Sequence, residues 1–281
     1  MMNIRSGSLK KLQPHHLFVY LFLLILVIII NYPLIWMFFV SFKRIQEFFI
    51  VPIKLFPESF LWSNYATAWR LAPWALYLRN SLVTSIIPMV GQVVLGSMAA
   101  FAFTRHFKGS KILFALFLGI LMFPDQSTYI PRYVIFRNLR WLNTYAALIV
   151  PFLTGAFAIF LIRQFFLSVP KDFEDAAIID GAGSFYFLFQ VLMPLSTPAL
   201  ITVALLTFND RWNDYLYYLI MASKEAMYTV QVGMAVFQGD GMTDWNMLMA
   251  ASSFVTIPVI VLFLFVQKRF IDGVMMSGIK G

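Results

Sequence analysis

The sequence predicts an all-α, polytopic membrane protein with six transmembrane helices, and three observations carry that prediction. Of its 281 residues 60% are hydrophobic and only 12% charged, with a mean hydropathy of +0.78; a soluble domain averages roughly 45–50% and about 25%. The apolar residues gather in blocks of about 20, the length a helix needs to cross roughly 30 Å of hydrocarbon. Cysteine is absent, which removes disulfides, thiolate chemistry and cysteine-based metal sites.

The first span, about 17–40, is the run "LFVYLFLLILVIIINYPLIWMFFV" after the basic stretch "MMNIRSGSLKKLQPHH". It is too long for a signal-peptide core and lacks a small-residue cleavage site, so it reads as a retained span. A long external segment follows, carrying Trp62, Trp69 and Trp74, residues suited to the headgroup level. The second span, about 80–104, contains "VGQVVLGSMAAFAF", where Gly96 and Ala100 are four apart with Gly91, Ser97 and Ala99 nearby. Lipid supplies no hydrophobic drive between helices, so such small residues serve close backbone approach. The remaining spans fall near 111–131, 143–166, 195–220 and 246–266. Pro88, Pro151 and Pro258 are expected to interrupt their spans and free carbonyls that neighbouring protein or water must satisfy.

Six spans leave both termini on one side. That side carries eleven Lys and Arg residues against nine opposite, three of them within "RHFKGSK", so the positive-inside rule places both termini in the cytoplasm. Basic flanks beside anionic headgroups account for the net charge of +8 without nucleic acid.

Several chemistries are missing. His15, His16 and His106 all lie near membrane ends, so no His-rich metal constellation exists. Neither the two-His helical zinc motif nor a phosphate loop ending in Gly-Lys-Ser/Thr occurs. No cofactor is expected on this chain, and it cannot hydrolyse ATP by the phosphate-loop route. The one interior carboxylate cluster is in the fifth span, "LLTFNDRWNDYLYYLIM", where Asp210 and Asp214 share a helix face beside Arg211. Each charge at mid-membrane costs about 2.5–3.5 kcal/mol, so they cannot face lipid. Two readings stand. One is an Asp–Arg–Asp pairing near the outer end of the span. The other is a polar strip along a solute path, built from Asn209, Asp210, Asn213 and Asp214 with aromatic surface from Trp212 and Tyr215.

Between the fourth and fifth spans lies "KDFEDAAIIDGAGSFYFLFQVLMP", with Asp172, Glu174, Asp175 and Asp180 close together. It reads as helix, turn, helix. Asp172 is placed to cap the first helix, and early acids suit its dipole. Phe173, Ala176 and Ala177 give a small apolar face. Gly181 and Gly183 break the helix and permit left-handed angles. A helix of about ten residues is not stable alone in water, so it is either part of a solvated connection or laid in a groove of another protein.

The spacing Asp175-Ala176-Ala177, three residues, Gly181, nine residues, Val191-Leu192-Met193-Pro194 resembles the cytoplasmic coupling motif of ABC importer permeases. It departs from the family pattern in Asp175 for Glu, Val191 for Ile and Met193 for Leu. "NYATAWRLAPWALYLRNSLVTS" around Asn80 and Ser81, "WLNTYAALIVP", "FNDRWNDYL" and the tail "GVMMSGIKG" resemble the carbohydrate branch, similar to the second membrane subunit of maltose importers. The resemblance implies the type I ABC importer permease fold with a cytoplasmic coupling helix. It divides the chain into residues 1–75 (tail, first span and external loop), a transport core 76–267 and a cytoplasmic tail 268–281.

The same resemblance implies a function. The chain would be half of a channel for a carbohydrate-like solute in a bacterial or archaeal cell membrane. Its partners would be membrane lipid, a homologous second permease, two cytoplasmic ABC ATPases holding ATP and Mg, and an external solute-binding protein. The ATPase-docking residues would be Phe173, Glu174, Asp175, Ala176, Ala177, Asp180 and Gly181, with Lys280 of the tail. An ion-coupled secondary transporter working through Asp210 and Asp214 is the alternative; a membrane enzyme is a third class, without a catalytic pair.

Overall fold

The computed structural model describes residues 14–48, 51–52, 54–105, 107–237 and 244–278; Lys280, expected as a docking contact, lies outside them. The helices are α1 (Pro14–Val40), α2 (Ser63–Arg70), α3 (Trp74–Thr104), α4 (Ser110–Gly119), α5 (Tyr129–Asn138), α6 (Tyr145–Ile149), α7 (Ala156–Ser168) and α8 (Asp172–Ile179). There follow α9 (Ser184–Leu195), α10 (Thr197–Asn213), α11 (Leu216–Met221), α12 (Val230–Gly233) and α13 (Trp245–Gly278), with no strand among the described residues. Four stretches are long and apolar enough to cross a membrane: Phe18–Val40, Trp74–Thr104, Tyr145–Ser168 and Trp245–Phe265. Two bent pairs, Ser110–Met122 with Asp125–Asn138 and Ser184–Leu195 with Thr197–Asn213, bring the number to six when each counts as one span.

The third and fifth of the expected spans are each two helices set at an angle. The third bends by 95° at Phe123-Pro124. Phe123 sits at φ −91°, ψ 127°, the extended conformation into which a following proline pushes its neighbour. The fifth bends by 81° before Thr197 and stops at Asp214, whose ψ of 118° leaves the helix and makes α11 a separate piece.

The prolines also differ from expectation. Pro88 and Pro258 lie inside continuous helices, and only Pro151 coincides with a break, the 3-10 turn Val150–Phe152. At Pro88 a neighbour compensates: the carbonyl of Thr84, four residues back, accepts the Tyr218 hydroxyl at 3.4 Å.

The chain divides into two compact units, residues 1–68 with 243–253 and residues 69–242 with 254–281. In the first, α1 exposes its apolar side chains from Phe18 to Ile30, as a lipid-facing helix must. The loop after it is ordered by polar side chains. Asn64 donates to the carbonyls of Ser41 (2.8 Å) and Lys43 (2.9 Å), and the Glu47 carboxylate accepts the N–H groups of Arg44 and Glu58, both at 3.1 Å.

In the second unit the small residues of α3 are used as their spacing suggests. Gly96 faces Ala158 and Ile162 of α7, and a methyl at Gly91 would come within 2.8 Å of Leu153. Gln92 bridges three spans, donating to the Phe152 carbonyl and accepting the Thr207 hydroxyl, each at 3.1 Å. Asn80 donates to the carbonyls of Ala226 (3.0 Å) and Tyr228 (2.9 Å) and accepts the Tyr145 hydroxyl at 2.6 Å, while Ser81 accepts the Val230 N–H at 2.9 Å. Trp74 opens α3 as a buried residue stacked on Phe237, not at a membrane surface; Trp62 and Trp69 are exposed.

Candidate functional site: a short acidic helix and a polar cleft

Two surfaces of the second unit lie at opposite ends of α10, whose 17 residues span about 25 Å at 1.5 Å per residue. At its start is the pair α8 and α9. At its finish is a polar cleft.

Helix α8 forms where Asp172, Glu174 and Asp175 place carboxylates in its first turn, against the positive end of the helix dipole. The cap expected from Asp172 is not made: Lys171 occupies the cap position, no side chain caps it, and Asp172 is already helical. The far end is sharply closed. Gly181 has φ +76°, its N–H donates to the Ile178 carbonyl at 3.0 Å, and the Ala182 N–H donates to the Ala177 carbonyl at 2.8 Å. These are the paired bonds of a Schellman turn. Gly183, expected to help, has an ordinary φ of −73° and simply precedes α9.

The small apolar face of α8 is split. Ala177 is buried in a cluster with Phe187, Leu188 and Leu192 of α9. Phe173 and Ala176, with the edge of Ala177, line a hollow of about 540 Å³ with Asp180, Gly181, Tyr186 and Val191. Beside it Ile178 and Ile179 are 62% and 85% exposed, an apolar surface that the sequence reasoning passed over, although their place next to the Ala pair was visible. Asp172, Asp175 and Asp180 are exposed. Glu174 alone turns back, to an ion pair with Arg105.

The cleft, about 420 Å³, brings together Asn209, Asp210, Asn213, Asp214 and Tyr215, the residues expected of a polar strip. It adds Asp125, Gln126 and Tyr129, which the sequence reasoning missed. The signal was the acid following Pro124, where the third span breaks. Arg211 organises the cleft. Its guanidinium donates to Asp210 at 2.6 and 3.2 Å and to Asp214 at 2.9 Å, and stacks over the Phe152 ring at 3.7 Å. Asp214 also accepts the Tyr217 N–H at 3.2 Å, fixing the start of α11. Asp125 is paired with Arg132 at 2.8 Å.

Trp212 stands apart from the cleft. It is buried and stacked on Phe208, so Tyr215 and Tyr129 supply the aromatic surface. Asn213 donates to Asn209 at 2.8 and 3.0 Å and accepts from Gln231 at 3.4 Å, and a smaller cavity of about 200 Å³ continues from Tyr215 past Gln231. Among the described residues no group of His, Asp and Glu is arranged to hold a metal ion.

A family model described as binding-protein-dependent transport system inner membrane component matches residues 92–274. The chain is 35% identical to the probable ABC transporter permease protein YurM of Bacillus subtilis, over 94% of this chain and 88% of that one. It is 33% identical to the trehalose/maltose transport system permease protein MalG of Thermococcus litoralis, over 92% and 94%. It is 31% identical to the sulfoquinovosyl glycerol transport system permease protein SmoH of Agrobacterium fabrum, over 89% of each. In structure it matches a chain of a bacterial ABC transporter involved in the import of the acidic polysaccharide alginate, with a TM-score of 0.80 at 23% identity over 96% of this chain and 100% of that one. The bent spans, the acidic helix and these likenesses agree: the chain belongs to the binding-protein-dependent transport system inner membrane components, the permease subunits of ABC importers.

Proposed function

We propose that α8 is the ATPase-docking element of this permease and that the cleft at the far end of α10 lines the path of an uncharged, carbohydrate-like solute. The observation that carries the docking reading is the exposure of Phe173, Ile178 and Ile179, with Asp172, Asp175 and Asp180, on a helix too short to stand alone. Such a surface fits a groove in a cytoplasmic ATPase. Two ATPases, a homologous second permease and an external binding protein complete the importer, and both termini lie in the cytoplasm. Residues 76–267 form the transport core, with 1–75 and 268–281 flanking it.

ATP-driven closure of the ATPases displaces α8, and α9 passes that displacement to α10 and so to the cleft. Rigid contacts between elements with two arrangements convert small movements into a change of access. The relative named for trehalose/maltose supports an uncharged carbohydrate-like cargo, whereas the one named for sulfoquinovosyl glycerol supports the carbohydrate class alone. Charge narrows it. Asp125, Asp210 and Asp214 line the cleft; Arg211 donates to Asp210 and Asp214, and Arg132 to Asp125. Three carboxylates against two guanidiniums, each already paired, disfavour a phosphorylated or sulfonated solute; hydroxyls find Asn209, Asn213 and Tyr215. Pairing with Arg211 also removes the support for ion coupling through Asp210 and Asp214.

Ile179→Asp tests the docking reading without touching the packed core. Pull-down of the tagged chain should lose the ATPase subunits while its amount in the membrane is unchanged. Full co-purification of the ATPases would refute it.

A further inference from the structure

The ion pair between Arg105 and Glu174 belongs neither to the apolar surface of α8 nor to the cleft. Arg105 is the residue at which α3 ends, with an extended ψ of 145° and its N–H on the Ala102 carbonyl at 3.1 Å. Its guanidinium lies over the Phe101 ring, 4.3 Å from the centroid, which fixes the direction of a planar, multiply donating group. Glu174 meets it from the first turn of α8. The two side chains are 41% and 29% exposed, so the pair is partly sheltered from water. Otherwise α8 has one buried residue, Ala177, and the closed turn at Gly181 that leads into α9. Its start is joined to α7 through Val169, which packs on the buried cluster, and the Phe173 N–H donates to the Pro170 carbonyl at 3.3 Å; the pair adds a side-chain tie from there to α3.

We infer that Arg105 is a positioning residue for energy coupling, its pair with Glu174 tying the start of α8 to the end of the second span. A displacement of α8 then reaches α3 through Arg105 as well as α10 through α9, and turns both spans together. The inference rests on the reading of α8 as the docking element.

The absence of cysteine makes a direct test simple. Asn213→Cys puts a single thiol in the cleft of the whole importer, purified with its ATPase subunits through a tag on this chain. Maleimide labelling of this chain is timed with and without ATP and vanadate. Trapping should change the labelling rate. Added Arg105→Gln should shrink that change by roughly fivefold or more, the size of a modest coupling between sites, with the ATPases still co-purifying. Arg105→Lys should keep part of the response, and the exchange Arg105→Glu with Glu174→Arg should restore most of it. An undiminished response in Arg105→Gln overturns the inference and leaves docking untouched. A loss that the exchange does not recover overturns it too, as a merely structural effect. No response to trapping before Arg105 is changed overturns this inference, since α8 then moves nothing at the cleft, while the Ile179→Asp pull-down decides docking separately.

Discussion

Arg211 shows how one residue keeps two carboxylates inside an apolar helix. Three of its nitrogens are bonded to Asp210 and Asp214, and its own side chain is 7% exposed. Removing one partner of a buried pair strands the other, at a cost of about 3–5 kcal/mol. Arg211→Ala should therefore lower the melting temperature of the detergent-solubilised chain sharply. Arg211→Lys should recover only part, because an ammonium cannot reproduce the fork. Gly181 is a simpler case. A methyl there meets nothing within 4 Å, yet φ is +76°, so Gly181→Ala should cost about 1–2 kcal/mol through backbone conformation alone. Less mass of ATPase pulled down per chain would report the frayed end of α8. At this scale the sequence was legible where partners are near along the chain: the i, i+4 carboxylates and the Gly after α8. It was silent on Glu174 and Arg105, which only the fold brings together, and it placed Trp212 on a surface where the structure buries it.

Spans were legible in kind, and in number when each bent pair counts as one, because apolar blocks of membrane length admit little else. Their bends were not. Proline marks both the broken third span and the unbroken second, and what separates them lies outside each helix. Tyr218 covers the carbonyl that Pro88 frees, whereas Pro124 stands where the chain turns by 95°. Tyr218→Phe should leave the Thr84 carbonyl without that donor, a loss of roughly 1 kcal/mol, seen as a lower melting temperature with uptake kept. The cleft depends on the bend, since Asp125 and Tyr129 reach α10 only after the third span has turned; that is why they were missing from the residues expected.

The whole molecule is a permease subunit, and the family was readable from the Asp175-to-Pro194 spacing before any coordinates, since that spacing reflects one helix, one closed turn and the start of one span. What the solute carries in charge was not readable, because it depends on how Arg211 is occupied. Uptake by the complete importer should be competed by neutral oligosaccharides and polyols, and at least tenfold less well by their phosphorylated counterparts, a difference of about 1.4 kcal/mol. Equal competition by both would count against the charge argument.

Gln92 carries a last consequence. Its carboxamide reaches Phe152 on one neighbour and Thr207 on another. Sliding one of the three rods past its neighbours breaks one of these bonds, at roughly 0.5–1.5 kcal/mol each; swinging together breaks neither.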